Sequence, residues 1–81
     1  MPHVTPGWLQ WRCRRGMREL DLLLGRWLER RWPLANADLR GAFLRLLDEQ
    51  DPRIAGWLLG EHCPDDPPMA ALIRDIVSCH D

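Results

Sequence analysis

The sequence has no lysine and no tyrosine, and it contains one serine and one threonine among 81 residues. Those two hydroxyl side chains, Thr5 and Ser78, both lie close to a chain end, which makes a serine–histidine–aspartate arrangement not credible. The six glycines are scattered along the chain, so there is no glycine-rich phosphate loop. These absences leave few routes by which the chain itself could catalyse a reaction.

The cysteines are too few and too widely spaced for a disulfide framework. Their odd number, with Cys13, Cys63 and Cys79 far apart, fits a reducing compartment. The adjacent pairs His62-Cys63 and Cys79-His80 do not match zinc ligands, which usually stand two to four residues apart. We expect free thiols, no metal site and no cofactor of the chain's own. An enzyme with a thiol–base pair at His62-Cys63 stays open as an alternative, although it lacks an orienting third group.

Long apolar runs are also missing. No apolar run approaches the ~20 residues that a membrane-spanning helix needs. The first six residues have neither the basic start nor the apolar segment of a signal peptide. We therefore expect a cytoplasmic protein that does not insert into a membrane.

The 81 residues are expected to form one small domain, residues 1–81, because a chain of this length has room for a single core. The formal net charge is −1, whereas domains that bind nucleic acid are usually clearly basic. Residues 1–31 hold seven arginines against three acidic residues, and residues 32–81 hold four arginines against nine. We favour the interpretation that the two halves neutralise each other on folding. The alternative is a field that steers a partner.

Helical periodicity dominates the chain and predicts an all-α, compact bundle of five short helices. The residues that signal a helix start are Thr5-Pro6, Asn36, Asp51-Pro52 and the proline-rich segment 64–68. The residues that signal a helix end are Trp32-Pro33 and Gly60. The predicted helices cover residues 6 to about 15, about 17–31 and about 37–49. A short fourth helix follows Asp51 as its N-cap and ends at Gly60, and a fifth starts within residues 64–68 and frays near Cys79. The side chains predicted to face the core are Trp8, Leu9, Trp11, Leu20, Leu23, Leu24, Trp27, Leu28, Leu39, Phe43, Leu46, Leu47, Ile54, Trp57, Leu58, Leu72, Ile73, Ile76 and Val77.

The most unusual segment is Trp11–Asp21, which holds four arginines, two acidic residues and Gly16. If the helix continues through Gly16, Arg15 and Glu19 share a face and form an ion pair worth ~0.3–0.5 kcal/mol. If Gly16 breaks the helix, Glu19 lies in the first turn of the next helix and favours its positive end. A basic RNA-binding patch is a third possibility, but Glu19 and Asp21 would repel phosphates.

Arg15-Gly16-Met17-Arg18-Glu19 resembles the R-G-x-x-E motif of the bacterial SdhE family of FAD assembly factors. The flanks extend the resemblance, as Trp11-x-Cys13-Arg14 before the motif and Leu20-Asp21 after it. A second block follows in order, with Phe43-x-Arg45-Leu46-Leu47, Asp51-Pro52 and Trp57-Leu58. The family is short, all-helical and five-helixed, and the resemblance covers roughly residues 8–77.

The resemblance implies a chaperone rather than an enzyme. Such a factor binds the flavoprotein subunit of succinate dehydrogenase or fumarate reductase and promotes covalent attachment of FAD to a histidine of that subunit. It implies a contact surface formed by Arg15, Gly16 and Glu19, with Arg14, Met17, Arg18 and Asp21 as further partner-binding candidates. We expect no nucleic-acid partner, a monomer when free and a bacterial cytoplasmic location. The alternative is a small regulatory protein, antitoxin-like or nucleic-acid-binding, that uses the arginine-rich segment 12–18.

Overall fold

A computed structural model describes residues 7–79, and this part of the chain folds into five α-helices with no strands. The all-α prediction is confirmed. The helices are α1 (Gly7–Arg12), α2 (Arg18–Arg30), α3 (Ala37–Leu47), α4 (Asp51–Leu58) and α5 (Pro67–Ser78). A 3-10 turn at Trp32–Leu34 joins α2 to α3, and the Cα radius of gyration is 11.7 Å.

The first helix is shorter than predicted, because it ends at Arg12 instead of near Arg15. The amide of Cys13 donates to the carbonyl oxygens of both Leu9 and Gln10, at 3.2 Å each, which tightens the last turn. The chain then leaves the helix, because the Arg15 amide bonds to the side chain of Asp21 instead of to a carbonyl one turn back. The predicted start at Thr5-Pro6 lies outside the described residues.

Helix ends elsewhere follow the capping signals in the sequence, with one exception. The Asn36 side chain accepts a 2.9 Å hydrogen bond from the Leu39 amide at the start of α3, as predicted. Gly60 follows α4 with φ +86°, the left-handed conformation predicted for it. The prediction that Asp51 caps α4 is wrong. Asp51 is the first residue of α4 without a side-chain cap, because its carboxylate accepts from Arg15 instead.

The core lies between α2, α3 and α5, and aromatic rings fill its centre. The Trp27 and Phe43 rings are both fully buried and stack with centroids 4.5 Å apart, an arrangement worth ~0.5–1.5 kcal/mol beyond the area that it buries. Trp32 meets Trp27 edge-on at 6.3 Å. The other large side chains that are fully buried are Leu9, Leu20, Leu24, Leu46, Leu47, Ile54, Leu72 and Ile76.

Several predicted core positions are wrong or only half right. Trp8 is 55% exposed, Trp11 is 72% exposed and Val77 is 46% exposed. Val77 follows Ile76 at a helical step that turns it away from the three helices of the core. The half-buried members of the predicted core set are Leu23, Leu39 and Trp57.

The two oppositely charged halves of the chain are tied together by ion pairs. Arg12 pairs with Asp48 at 2.6 Å, Arg15 with Asp51 at 2.8 Å, and Arg31 with Asp75 at 2.5 Å. Within residues 7–79, at least three of the seven arginines in residues 1–31 are therefore neutralised by an aspartate of the other half. Within residues 7–79, no helix combines the length and the apolar character that crossing a bilayer requires.

Candidate functional site

Gly16 lies in the turn that separates α1 from α2. Its φ of +86° lies in the left-handed region, which costs an L side chain roughly 1–2 kcal/mol. The structure thus selects the second of the two helical alternatives. Glu19 lies in the first turn of α2, where its negative charge favours the positive helix end.

Arg15, directly before this glycine, directs its side chain into the protein. Its guanidinium donates from Nε to the Asp51 carboxylate at 2.8 Å, from Nη1 to the Leu47 carbonyl at 2.8 Å, and from Nη2 to the Glu49 carbonyl at 2.8 Å. Only 16% of the side chain is exposed. Its backbone amide donates to Asp21 Oδ1 at 2.6 Å. Arg15 is therefore bound through both its side chain and its backbone.

The outer part of the motif has the opposite environment. Among residues 7–79, the Glu19 carboxylate meets neither a hydrogen-bond donor nor an ion-pair partner, and it is exposed at the start of α2. A Cβ placed on Gly16 would find no atom within 4 Å, so that the backbone there is open to approach. Asp21 is half-buried because it holds the Arg15 amide. The exposed members of the predicted contact set are Arg14, Gly16, Met17, Arg18 and Glu19.

Two tryptophans beside the motif are exposed, although the sequence predicted that both face the core. Trp8 and Trp11 are three residues apart on α1, which places them on one face of the helix, and that face points to solvent. The buried side of α1 carries Leu9, followed after the helix by Cys13. The large apolar side chains described as exposed are Trp8, Trp11, Met17, Leu22, Leu34, Leu59 and Val77, and four of these seven fall within residues 8–22. This concentration of exposed apolar side chains makes residues 8–22 the candidate for a protein-interaction surface.

An open groove runs along α2 beside the turn. Its lining includes four arginines of residues 1–31, together with Asp21 and Glu29. The Arg26 guanidinium also donates to the Cys79 carbonyl at 3.3 Å. Arginines outnumber acidic residues four to two in this lining, and Arg14 and Arg18 belong to the segment around Gly16. The four arginines are Arg14, Arg18, Arg26 and Arg30.

The candidate catalytic groups from the sequence do not assemble into a site in the part of the chain that is described. Cys63 is an exposed free thiol in the segment after α4, beside His62. Burial raises the pKa of Cys13 to about 11, although the nearby Arg15 and Arg12 charges oppose that rise. The Ser78 hydroxyl donates to the Asp75 carbonyl, and Thr5 lies outside the described residues. Among residues 7–79, no three potential metal ligands lie together.

Comparison with known proteins supports one family. Residues 8–80 match the model of a family described as "Flavinator of succinate dehydrogenase". An FAD assembly factor SdhE of Xylella fastidiosa (strain 9a5c) is 51% identical over 68 residues, which cover 84% of this chain and 70% of that protein. The SdhE of Methylococcus capsulatus is 46% identical over 82% of this chain and 80% of its own length. That of Coxiella burnetii is 40% identical over 84% of this chain and 83% of its own.

Proposed function

This chain belongs to the family of flavinators of succinate dehydrogenase, and from that premise we propose that it binds the flavoprotein subunit of succinate dehydrogenase and promotes covalent attachment of FAD to that subunit. The observation that carries the proposal is the outward face of residues 8–22. There, two exposed tryptophans lie beside an exposed glycine turn and an exposed Glu19. Tryptophan is enriched among the residues that dominate protein–protein binding.

The proposed mechanism assigns the chemistry to the client and the surface to this chain. The reacting histidine and the flavin both belong to the flavoprotein subunit, so the factor needs no nucleophile, metal or cofactor of its own. It acts by holding the client in an arrangement where the two groups meet, which removes the entropic cost of bringing them together. In this proposal the chain is a chaperone and not an enzyme.

The contact surface that we propose consists of Trp8, Trp11 and the exposed residues of the motif. Gly16 lets the client backbone approach closely, and Glu19 accepts hydrogen bonds from client donors. Arg14 and Arg18, which are exposed beside the turn, add positive charge that favours acidic client segments. The same surface serves fumarate reductase, whose flavoprotein subunit is the second client in this proposal, and the protein acts in the bacterial cytoplasm.

The test is co-expression of the chain with a flavoprotein subunit in a host without its own assembly factor. Covalently bound flavin is read as fluorescence of the subunit on a denaturing gel. We expect the fluorescence to rise with the wild-type chain and to fall with Trp11→Ala and with Glu19→Ala. Loss of an interface tryptophan that contributes at least 2 kcal/mol weakens binding roughly thirtyfold.

Two variants on other parts of the surface are matched controls. Leu34→Ala removes an apolar side chain that is 77% exposed on the 3-10 turn, and Glu61→Ala removes an exposed carboxylate after α4. Both should leave the fluorescence unchanged. Fluorescence that does not depend on the chain would contradict the function. Equal losses in the controls would contradict the assignment of the surface.

A further inference from the structure

The side chain of Arg15 has little left to offer a partner. Each of its three guanidinium nitrogens already donates a 2.8 Å hydrogen bond within the protein, to the Asp51 carboxylate and to the carbonyls of Leu47 and Glu49. Hydrogen bonds that involve a charged group are stronger than those between neutral groups. A direct contact with a partner would have to replace these bonds at a comparable cost.

The acceptors of these bonds show what the side chain does. Leu47 is the last residue of α3, where backbone carbonyls lack helical partners and the helix dipole is negative, so a cation is favoured there. Asp51 is the first residue of α4. A single guanidinium therefore joins the end of one helix to the beginning of the next and ties both to the turn that precedes α2.

The backbone of the same residue is held from the other side. The Arg15 amide donates to the Asp21 carboxylate at 2.6 Å, one residue before the left-handed Gly16. Arg12 adds a parallel tie, because its Nη2 donates to Asp48 at 2.6 Å and to the Leu47 carbonyl at 3.2 Å. The last turn of α1 and the start of the Gly16 turn are thus fixed to the connection between α3 and α4, residues 47–51.

We propose that Arg15 is a positioning residue that does not touch the client. Through Asp51 and Asp21 it holds the Gly16–Glu19 turn and α1 in the arrangement that the client recognises. This inference rests on the proposed function and deepens it, because it divides the motif into an inner arginine that orients and an outer glycine and glutamate that bind. Holding a binding loop in its bound conformation raises affinity because less order has to be created on association.

The binding experiment compares Arg15→Lys, Asp51→Asn and the double variant, using titration calorimetry against the purified flavoprotein subunit. Lysine keeps the charge but cannot make the forked contacts of the guanidinium. We expect each single variant to weaken binding about tenfold through lost preorganisation, and the double variant to be no weaker than Arg15→Lys. A loss confined to Arg15→Lys, with Asp51→Asn within twofold of wild type, would mean that Arg15 touches the client and would overturn the proposal.

A second measurement follows the turn in the free protein. Cys13 is 3% exposed next to the turn, so its alkylation rate in a Cys63→Ser background reports opening of this corner. Cys79 is a second buried free thiol, so labelling of Cys13 is followed by peptide mass spectrometry. Labelling should accelerate in Arg15→Lys and Asp51→Asn. It should stay slow in Arg31→Lys, which alters an ion pair at α5 and is the control for lost stability elsewhere. Binding should likewise be unchanged in that control.

The two measurements separate the two claims. A wild-type chain without affinity for the flavoprotein subunit would contradict the proposed function. Unchanged Cys13 labelling in both Arg15→Lys and Asp51→Asn would by itself overturn the positioning role. Equal acceleration in Arg31→Lys would overturn it as well, because labelling would then report general destabilisation.

Discussion

Two regions of this protein are built from the same three residue types and use them in opposite ways. In the α2–α5 clamp, formed by Trp27, Arg31 and Asp75, the indole of Trp27 is fully buried and donates to Asp75 Oδ2 at 2.6 Å. Arg31 closes the clamp from outside with a 2.5 Å bond to Asp75 Oδ1.

The second region is the α1 corner, formed by Trp11, Arg12, Arg15, Asp48 and Asp51. There each arginine is more buried than the aspartate with which it pairs. They carry the long-range contacts, and the tryptophans of α1 point to solvent. A tryptophan that is satisfied inside the protein contributes to stability, whereas one left outside by a well-fixed helix is available to a partner. The clamp therefore contributes to stability, whereas the proposed function assigns recognition to the surface that the corner holds in place.

The largest expected effect that tests this division is the loss of Trp27. Trp27→Ala removes the ring that stacks on Phe43 and should lower the free energy of unfolding by ~3–5 kcal/mol. Trp11→Ala, its counterpart in the corner, should change that free energy by no more than about 0.5 kcal/mol because the ring is 72% exposed. Urea unfolding followed by circular dichroism measures both. Similar losses in the two variants would break the comparison.

The fold was largely predictable because its signals are local. Asn36 and the prolines near the starts of α4 and α5 mark helix beginnings within a few residues, and the period of apolar residues in α2 identifies its buried face. The exception is α1. A helix of six residues is too short for periodicity to show which of its apolar sides meets the core, and there Leu9 is buried and Trp11 is not.

The site was predictable only in part for a related reason. The position of the turn follows from Gly16, and the exposure of Glu19 follows from its place at a helix start. The inward direction of Arg15 does not, because its carboxylate partner is 36 residues away in the sequence. The same distant contact explains why Asp51, which has the pattern of a helix cap, does not act as one.

Substitution of two glycines, one in the turn of the α1 corner and one within a regular helix, should change the free energy of unfolding by an intermediate amount. Neither Gly16 nor Gly25 has an atom within 4 Å of an added Cβ, so the two sites differ chiefly in backbone conformation. Gly16→Ala should lower the free energy of unfolding by roughly 1–2 kcal/mol, because φ is +86° there. Gly25→Ala, within α2, should raise it by ~1 kcal/mol through better helix propensity. Urea midpoints of the two variants should move in opposite directions. A shift of both in the same direction would contradict the account of the turn.

The smallest expected effect is the pH dependence of the α2–α5 clamp. The hydrogen bond from Arg31 holds the pKa of Asp75 below its ordinary value of 3.8, against the effect of burial, and the bond from Trp27 acts in the same direction. A lowered pKa in the folded state means that the unfolded state binds more protons in acid. The stabilisation is then fully present above the ordinary pKa and is lost as the pH falls through the folded one. Titration of Asp75 should therefore leave the free energy of unfolding unchanged near neutral pH and should lower it in acid.

Asp75→Asn removes the titrating group, so its deficit relative to wild type should be largest near neutral pH and should shrink as the wild-type carboxylate becomes protonated. Arg31→Ala removes the main cause of the lowered pKa of Asp75, so the free energy of unfolding of this variant should decline less in acid than that of the wild type. Urea unfolding at pH 7, 4 and 3 measures both variants. Two outcomes would mean that the ionised pair does not hold this clamp. One is a loss of free energy of unfolding in Asp75→Asn that stays constant with pH, and the other is a decline in acid that Arg31→Ala leaves unchanged. Flavin attachment near neutral pH, by contrast, should survive Arg31→Ala wherever the variant is folded, because the clamp lies outside the surface assigned to the client.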